Sequence, residues 1–297
     1  MATRHPAPPC EQTDPSRDLV PLTVWPCSQT SAQYQRAGRY LPASTAHPGK
    51  MLPDLARRII AAYSHPGEYV LDPMCGIGTT LIEAAALGRR AVGVELEDRW
   101  ARLAVANCEQ VLTVEQQHLV EVHTADARRL SAVLHDVAGT VDLIVVSPPY
   151  GCAAGVIDKP GWIAGHRMCP PDTLNYGGPA NLGHARGNAY AQAMTEIYTG
   201  CYQLLKPGGL LVTVTKNTRR KGRLFDLAGL TVTLCQQAGF GYLQHVVALL
   251  AAVRDGALAA RPSFWQLTQT RAAISRGEPA HLTAHEDVLL FAKSSSR

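Results

Sequence analysis

The sequence predicts an α/β protein on an open, Rossmann-like, seven-stranded sheet, and three observations lead to it. Residues 69–87 read as a short strand, a turn containing Gly76 and Gly78, and a helix, which is a nucleotide-type crossover. Asp72, Glu95, Asp126 and Ser147 fall at the carboxyl ends of four successive expected strands, the edge where open α/β sheets bind ligands. Leu143, Ile144, Val145 and Val146 form an unbroken apolar run, the mark of a strand buried on both faces.

Taken in order, residues 1–46 are rich in Pro, Ser, Thr and Gln without a sustained period, so they read as an extended arm, disordered before about residue 21. Within it, Arg36 and Arg39 with Tyr34 and Tyr40 around Gly38 suit either contact with a nucleic-acid backbone or packing across the domain. Residues 47–297 read as one domain. Positions 55, 56, 59, 60 and 63 lie on one face of a first helix over 54–63. After the crossover come a strand over 91–96, a helix over 98–112, a strand over 120–124 and the apolar strand ending at Val146. A Gly-, Pro- and His-rich insertion, 151–187, interrupts the alternation and reads as functional or disordered, since structureless spans of that length are uncommon in compact domains. The alternation resumes with a helix over 188–205, a turn over 206–209, a strand over 210–215, a helix over 224–238 and strands over 246–253 and 287–292. A second insertion, 254–284, separates the last two strands and carries Arg254, Arg261, Arg271 and Arg276 around Phe264 and Trp265.

Composition narrows the class. At 46% hydrophobic over 297 residues the chain can bury a full core. Its eight cysteines show neither a C-x-x-C pair nor zinc spacing, so no metal and no disulfide framework is expected. The longest apolar run, 246–253, is far too short to span a bilayer, and a cytoplasmic, nucleoid-associated protein without membrane contact is expected. Net charge is only +4, but with six lysines among 28 basic residues arginine dominates, which favours bidentate contact with phosphate or guanine.

The candidate chemistry lies in the turns. Glycines at 76 and 78 let backbone approach a ligand, while Leu81 stands where a dinucleotide fingerprint needs a third glycine. Glu95, at the end of the next strand, can accept both hydroxyls of a ribose; a capping or surface glutamate is the plainer reading without the glycine turn. Ser147, Pro148, Pro149 and Tyr150 form a stiff turn with outward carbonyls, a hydroxyl and an aromatic wall. That set suits a planar base bearing an exocyclic amine, and it is also what a proline-stiffened loop looks like. The basic run Lys216, Arg219, Arg220, Lys221 and Arg223 follows the fifth strand, so it reads as a solvated loop or as a set of phosphate contacts.

At these residues the chain resembles the S-adenosylmethionine-dependent DNA methyltransferases that act on exocyclic amines. H-P-x-K-x-x-P at 47 onward, D-P-x-x-G-x-G-T-T from Asp72, S-P-P-Y from Ser147 and H-E-D-V-L-L-F-A-K from His285 occur in the family's order. The resemblance implies a methyltransferase sheet with an antiparallel last strand. It implies S-adenosylmethionine held by His47, Lys50, Asp72, Pro73, Gly76, Gly78, Thr79 and Thr80 on its methionine side, by Glu95 at its ribose and by Asp126 at its adenine amine. Catalysis would fall to the 147–150 loop, and duplex DNA is the implied substrate, with a restriction endonuclease as companion. S-P-P-Y is the form of the cytosine-N4 branch, whereas adenine-N6 members more often begin the loop with Asp or Asn. Two alternatives stay open: Gly151 and the stretch from Asp72 also resemble guanine-N2 RNA methyltransferases, and an inactive fold could serve as a nucleic-acid-binding module. The two insertions are then expected to recognise the target through Arg261 and Arg271, with the basic run gripping the backbone.

Overall fold

The computed structural model describes residues 21–149, 181–185, 187–220, 223–262 and 264–295, together with the backbone of two short paired segments at 162–163 and 166–167. The central sheet contains Val24–Pro26 (β1), Tyr69–Asp72 (β2), Arg90–Glu95 (β3), Val120–Thr124 (β4), Val141–Val146 (β5), Leu205–Thr215 (β6), Gly241–Leu249 (β7) and His285–Ala292 (β8). Its order is β1-β7-β8-β6-β5-β2-β3-β4. Only β8 runs antiparallel, against both β6 and β7, as the resemblance implies. Successive parallel strands therefore need helical crossovers, and these cover both faces.

Pro53–Tyr63 (α2), Thr79–Ala86 (α3) and Asp98–Val111 (α4) lie on one face, while Gly187–Leu204 (α5) and Leu227–Gln237 (α6) lie on the other. The short helix Ala32–Arg36 (α1) precedes them, and Phe264–Ser275 (α7) belongs to the second insertion. Pro53 sits in the first turn of α2, where its missing N–H costs nothing, and Leu55, Ala56, Ile59 and Ile60 form its buried stripe. Leu143 to Val146 are fully buried, with even positions facing one helix layer and odd positions the other.

The first difference from the sequence reading is the eighth strand. β1 pairs in parallel with β7, Val24 opposite Val247 and Pro26 opposite Leu249, so residues 24–26 of the segment read as an extended arm form an edge strand of the sheet. Three residues are too few to show a period, and Pro26 is tolerated because β1 is an edge. The second difference is at 246–253. β7 begins earlier, in an exposed stretch from Gly241 to His245, and ends at Leu249; Ala251–Arg254 then pairs with Ala257–Ala260 in a separate hairpin. The apolar run straddled two strands. Asp255 and Gly256, both at positive φ (49° and 75°), make the two-residue turn whose Asp-Gly signature was present in the sequence. The third is the basic run, part of which is a hairpin: Thr218–Arg220 pairs with Arg223–Phe225. The following helix accordingly starts at Leu227, capped by Asp226, whose carboxylate accepts the Gly229 N–H at 3.0 Å.

Gly93, in the middle of β3, illustrates how tightly the crossover is packed. A Cβ there would lie 2.7 Å from both Cys75 Sγ and Leu81 Cδ1, and both of those side chains are themselves buried. Gly93→Ala is expected to lower unfolding stability by about 1–3 kcal/mol, the usual cost of overpacking a filled core. An unchanged denaturation midpoint would show that the turn beneath Gly93 yields freely.

Candidate active site

The carboxyl ends of β2, β3, β4, β5 and β6 share one edge, and Asp72, Glu95, Asp126 and Ser147 sit at or just beyond the ends of the first four. Asp72 ends β2 almost fully buried and accepts the Met74 N–H at 3.0 Å. Burial pushes its carboxyl up to about 7 and nearby Glu95 adds to this, against hydrogen bonds from the Thr80 side chain and the Met74 backbone. The turn that follows, through buried Pro73, places Gly76 at φ 53° and Gly78 at φ 84°. A Cβ on Gly78 would meet Ala104 of α4 at 3.2 Å, and one on Gly76 would meet the His47 ring at 3.1 Å. Backbone thus lies flush against its neighbours on both sides, and only glycine fits. Thr79 and Thr80, both buried, open α3 directly after the turn.

Glu95 faces this turn. Its Oε2 accepts the Gly76 N–H at 3.0 Å and its Oε1 accepts the Glu97 N–H at 2.9 Å. Burial raises its carboxyl above the ordinary range, and these backbone donors work in the opposite direction. Each oxygen retains further acceptor capacity.

His47 is buried edge-on against Trp100, with ring centroids 4.8 Å apart. Burial, reinforced by the charge of Lys50, pushes its imidazole down to about 4, so it stays neutral at physiological pH. Lys50 turns back on its own loop, donating to the carbonyls of Thr45 and His47, and burial brings it down to about 8. Its ammonium braces the loop, a different task from the ligand contact expected of it. The arginines of the preceding segment are likewise engaged internally: Arg36 donates to Met51 O at 2.6 Å and Arg39 pairs with buried Glu83 at 2.7 Å. Asn107 of α4 completes the attachment by accepting the Leu41 N–H at 2.9 Å and donating to Ile77 O at 3.0 Å.

Asp126 lies beyond β4, where it caps a short turn and accepts the Arg128 N–H at 2.9 Å. Partial burial opposes ionisation, but hydrogen bonds from Arg128 outweigh it and hold the carboxyl below its usual range. Ser147 and Pro149 are half-buried and Pro148 is buried, immediately beyond β5, whose Val146 pairs with Thr213 of β6. Tyr150 lies outside the described residues, as does Lys221.

Among the expected nucleic-acid contacts, two are reassigned. Lys216 donates to Gln266 Oε1 of α7 at 3.2 Å, and burial lowers its pKa, so it ties the second insertion to β6 instead of standing free. Arg261 donates to the carbonyls of Ser28 (3.0 Å) and Gln29 (3.2 Å), and Arg254 donates to Gln29 O at 3.1 Å. These guanidiniums fasten the second insertion to the segment after β1, a partnership that sequence could not show across more than 220 positions. Arg219 is exposed and stands opposite Leu224 in the hairpin register, and Arg220 pairs with Arg223 there. Arg271 is exposed on α7.

Four residues at the edge escaped the sequence reading. Glu97 accepts from Asn181 Nδ2 at 2.9 Å and from Arg99 Nε at 2.9 Å. The Arg99 guanidinium in turn lies 4.4 Å from the centroid of the Trp100 ring. Glu97 carried one signal, a second acid two positions after Glu95; Asn181 carried only its place before a possible turn. No cluster of metal ligands and no helix able to cross a membrane occurs among the described residues.

Residues 6–106 match a family model described as DNA methylase, the N6/N4 type, and residues 67–156 match one described as RNA cap guanine-N2 methyltransferase. The chain is 36% identical over 118 residues to a tRNA (guanine(10)-N2)-dimethyltransferase of Methanocaldococcus jannaschii, covering 38% of this chain and 33% of that protein. It is 37% identical over 81 residues to the type II methyltransferase M2.DpnII of Streptococcus pneumoniae, covering 27% and 28% respectively. The chain therefore spans about a third or less of the length of these relatives. A TehB-like SAM-dependent methyltransferase of Corynebacterium glutamicum superposes over 80% of this chain and 87% of its own, at 12% identity and a TM-score of 0.42, too remote to weigh.

Proposed function

We propose, from the premise that this chain is a relative of the S-adenosylmethionine-dependent N6/N4 DNA methylases, that it methylates an exocyclic amine of a nucleic-acid base, N4 of cytosine in duplex DNA. The observation that carries the reading is the adjacency of two loops on paired strands: the glycine turn after β2 and the Ser147-Pro148-Pro149 loop after β5. The close backbone packing at Gly76 and Gly78 and the oriented Glu95 carboxylate fit the cofactor. When bound, S-adenosylmethionine supplies an electrophilic methyl group on a sulfonium.

The chain's own residues do the rest by position. Glu95 accepts the ribose hydroxyls, and the turn from Pro73 to Thr80 surrounds the methionine end with backbone. Cytosine's amine is a poor nucleophile because its lone pair is delocalised into the ring. With its hydrogens accepted by the Ser147 hydroxyl and the Pro148 carbonyl, that pair is localised and aimed. Tyr150 provides a stacking wall for a base flipped from the duplex at a cost of a few kcal/mol. Ser147, where adenine-N6 enzymes more often have Asp or Asn, favours cytosine. A second reading, guanine-N2 of tRNA, is favoured by the 36% identity to the Methanocaldococcus jannaschii enzyme.

Mass analysis of nucleosides from DNA and tRNA of cells making the protein separates these readings. N4-methylcytosine is the expected product; N6-methyladenine in DNA or N2-methylguanine in tRNA, dependent on the protein, overturns the choice of base. Backbone contact is assigned to the exposed Arg219 on its hairpin. Arg219→Ala is expected to weaken binding to all sequences alike and to reduce the log–log salt slope by about one unit. A changed sequence preference in this variant would instead make Arg219 a base reader. A restriction endonuclease partner fits the same reading.

A further inference from the structure

We propose that Asn181 makes the returning end of the first insertion part of the cofactor cleft, by holding residues 181–185 to the acid-bearing end of β3 through Glu97. The inference rests on the reading above, in which Glu95 and the glycine turn receive the nucleoside end of S-adenosylmethionine. It changes the task of this end of the insertion from target recognition to cofactor retention.

Asn181 is only 7% exposed. Its Oδ1 accepts the Gly183 N–H at 2.9 Å, closing the turn Leu182–His184, and its Nδ2 donates to Glu97 Oε1 at 2.9 Å. The Gly183 bond fixes which end of the amide faces Glu97, since only the nitrogen can donate to a carboxylate. Leu182 packs against the apolar cluster that contains Val94 of β3 and Tyr190 of α5, so the segment is held by burial as well.

Glu97 is a junction. Its own N–H binds Glu95 Oε1 at 2.9 Å, and Glu95 Oε2 takes the Gly76 N–H at 3.0 Å. Three hydrogen bonds therefore link Asn181 to the cofactor turn on this side. On the other side Glu97 Oε2 binds Arg99, Arg99 lies over Trp100, and Trp100 meets His47, whose ring borders Gly76. The two segments flanking the cleft, the His47 loop and the end of the first insertion, are thus coupled through one carboxylate. Charge-assisted bonds in a partly buried setting are the stronger kind, and loss of one member loosens its neighbours. If the segment steadies Glu95, then cofactor and segment stabilise each other reciprocally.

The test is calorimetric titration of the full chain with S-adenosylhomocysteine. Asn181→Ala is expected to raise Kd about tenfold, the loss of one hydrogen bond to a charged acceptor. Asn181→Asp is expected to do at least as much, because two carboxylates then face each other. Adding Glu97→Gln to Asn181→Asp restores a donor–acceptor pair with the roles exchanged, and Kd is expected to return to within about threefold of the wild type. Asn181→Asp binding with wild-type affinity, or losing affinity that Glu97→Gln does not restore, overturns the inference and leaves Asn181 as a cap of its own turn. A wild-type chain that does not bind S-adenosylhomocysteine sinks the functional reading itself.

Discussion

Ser147→Ala is expected to lower kcat about a hundredfold while leaving cofactor affinity within about twofold. The reasoning is that the hydroxyl acts where charge develops. As the amine becomes the attacking group its N–H bonds grow more acidic, and an acceptor fixed beside it stabilises the transition state more than the ground state; removal of one such fixed partner commonly costs a factor of about 10² to 10³. Ser147 is well placed for this because β5 ends in a fully buried strand and two prolines stiffen the turn, so little entropy is spent in presenting the oxygen. It sits outside the glycine turn and makes none of the hydrogen bonds that hold Asp72 or Glu95, which is why cofactor affinity is expected to survive. Single-turnover methylation with saturating cofactor reads the chemical step directly. A loss smaller than about threefold would transfer the role to the Pro148 carbonyl alone.

Glu95→Ala carries the second large effect, a rise in cofactor Kd of about ten- to a hundredfold. Two losses combine: the ribose hydroxyls lose a carboxyl acceptor, worth about 1–3 kcal/mol, and the Gly76 and Glu97 N–H groups lose the partner that shapes the turn. Glu95→Gln separates them, because the amide oxygen can keep one backbone donor while the second oxygen is replaced by a donor that the Gly76 or Glu97 N–H cannot use. An intermediate Kd for Glu95→Gln, with Glu95→Ala still folded by circular dichroism, is the expected pattern. Equal affinity of wild type and Glu95→Ala in calorimetry would falsify the ribose assignment.

The residues whose positions were legible from sequence are placed by local backbone. Asp72, Gly76, Gly78 and Glu95 lie within one strand–turn–helix–strand unit, so spacing alone brought them to a common edge. The apolar run of β5 announced itself for the same reason, since a strand buried on both faces has no polar alternation to disguise it. β7 was harder, because its first five residues are exposed and its last apolar residues abut a hairpin strand of similar composition.

Charged side chains were the least legible. Lys50 read as a cofactor contact, Lys216 and Arg261 as nucleic-acid contacts, and Arg36 and Arg39 as either backbone contacts or packing across the domain, and each donates to a carbonyl, an amide or a buried carboxylate of the chain itself. A long flexible cation has the same sequence signature whether its head group meets solvent, a phosphate or a carbonyl more than 200 residues away. Only chain crossing decides among them. What the sequence determined by itself was the open α/β sheet, the glycine turn and the proline-stiffened loop, because each is written in contiguous residues with its own period or backbone demand. What the tertiary structure alone decided was which charges remain free at the edge, that the N-terminal segment supplies a strand, and that Asn181 meets Glu97, because each depends on segments brought together by burial elsewhere in the fold.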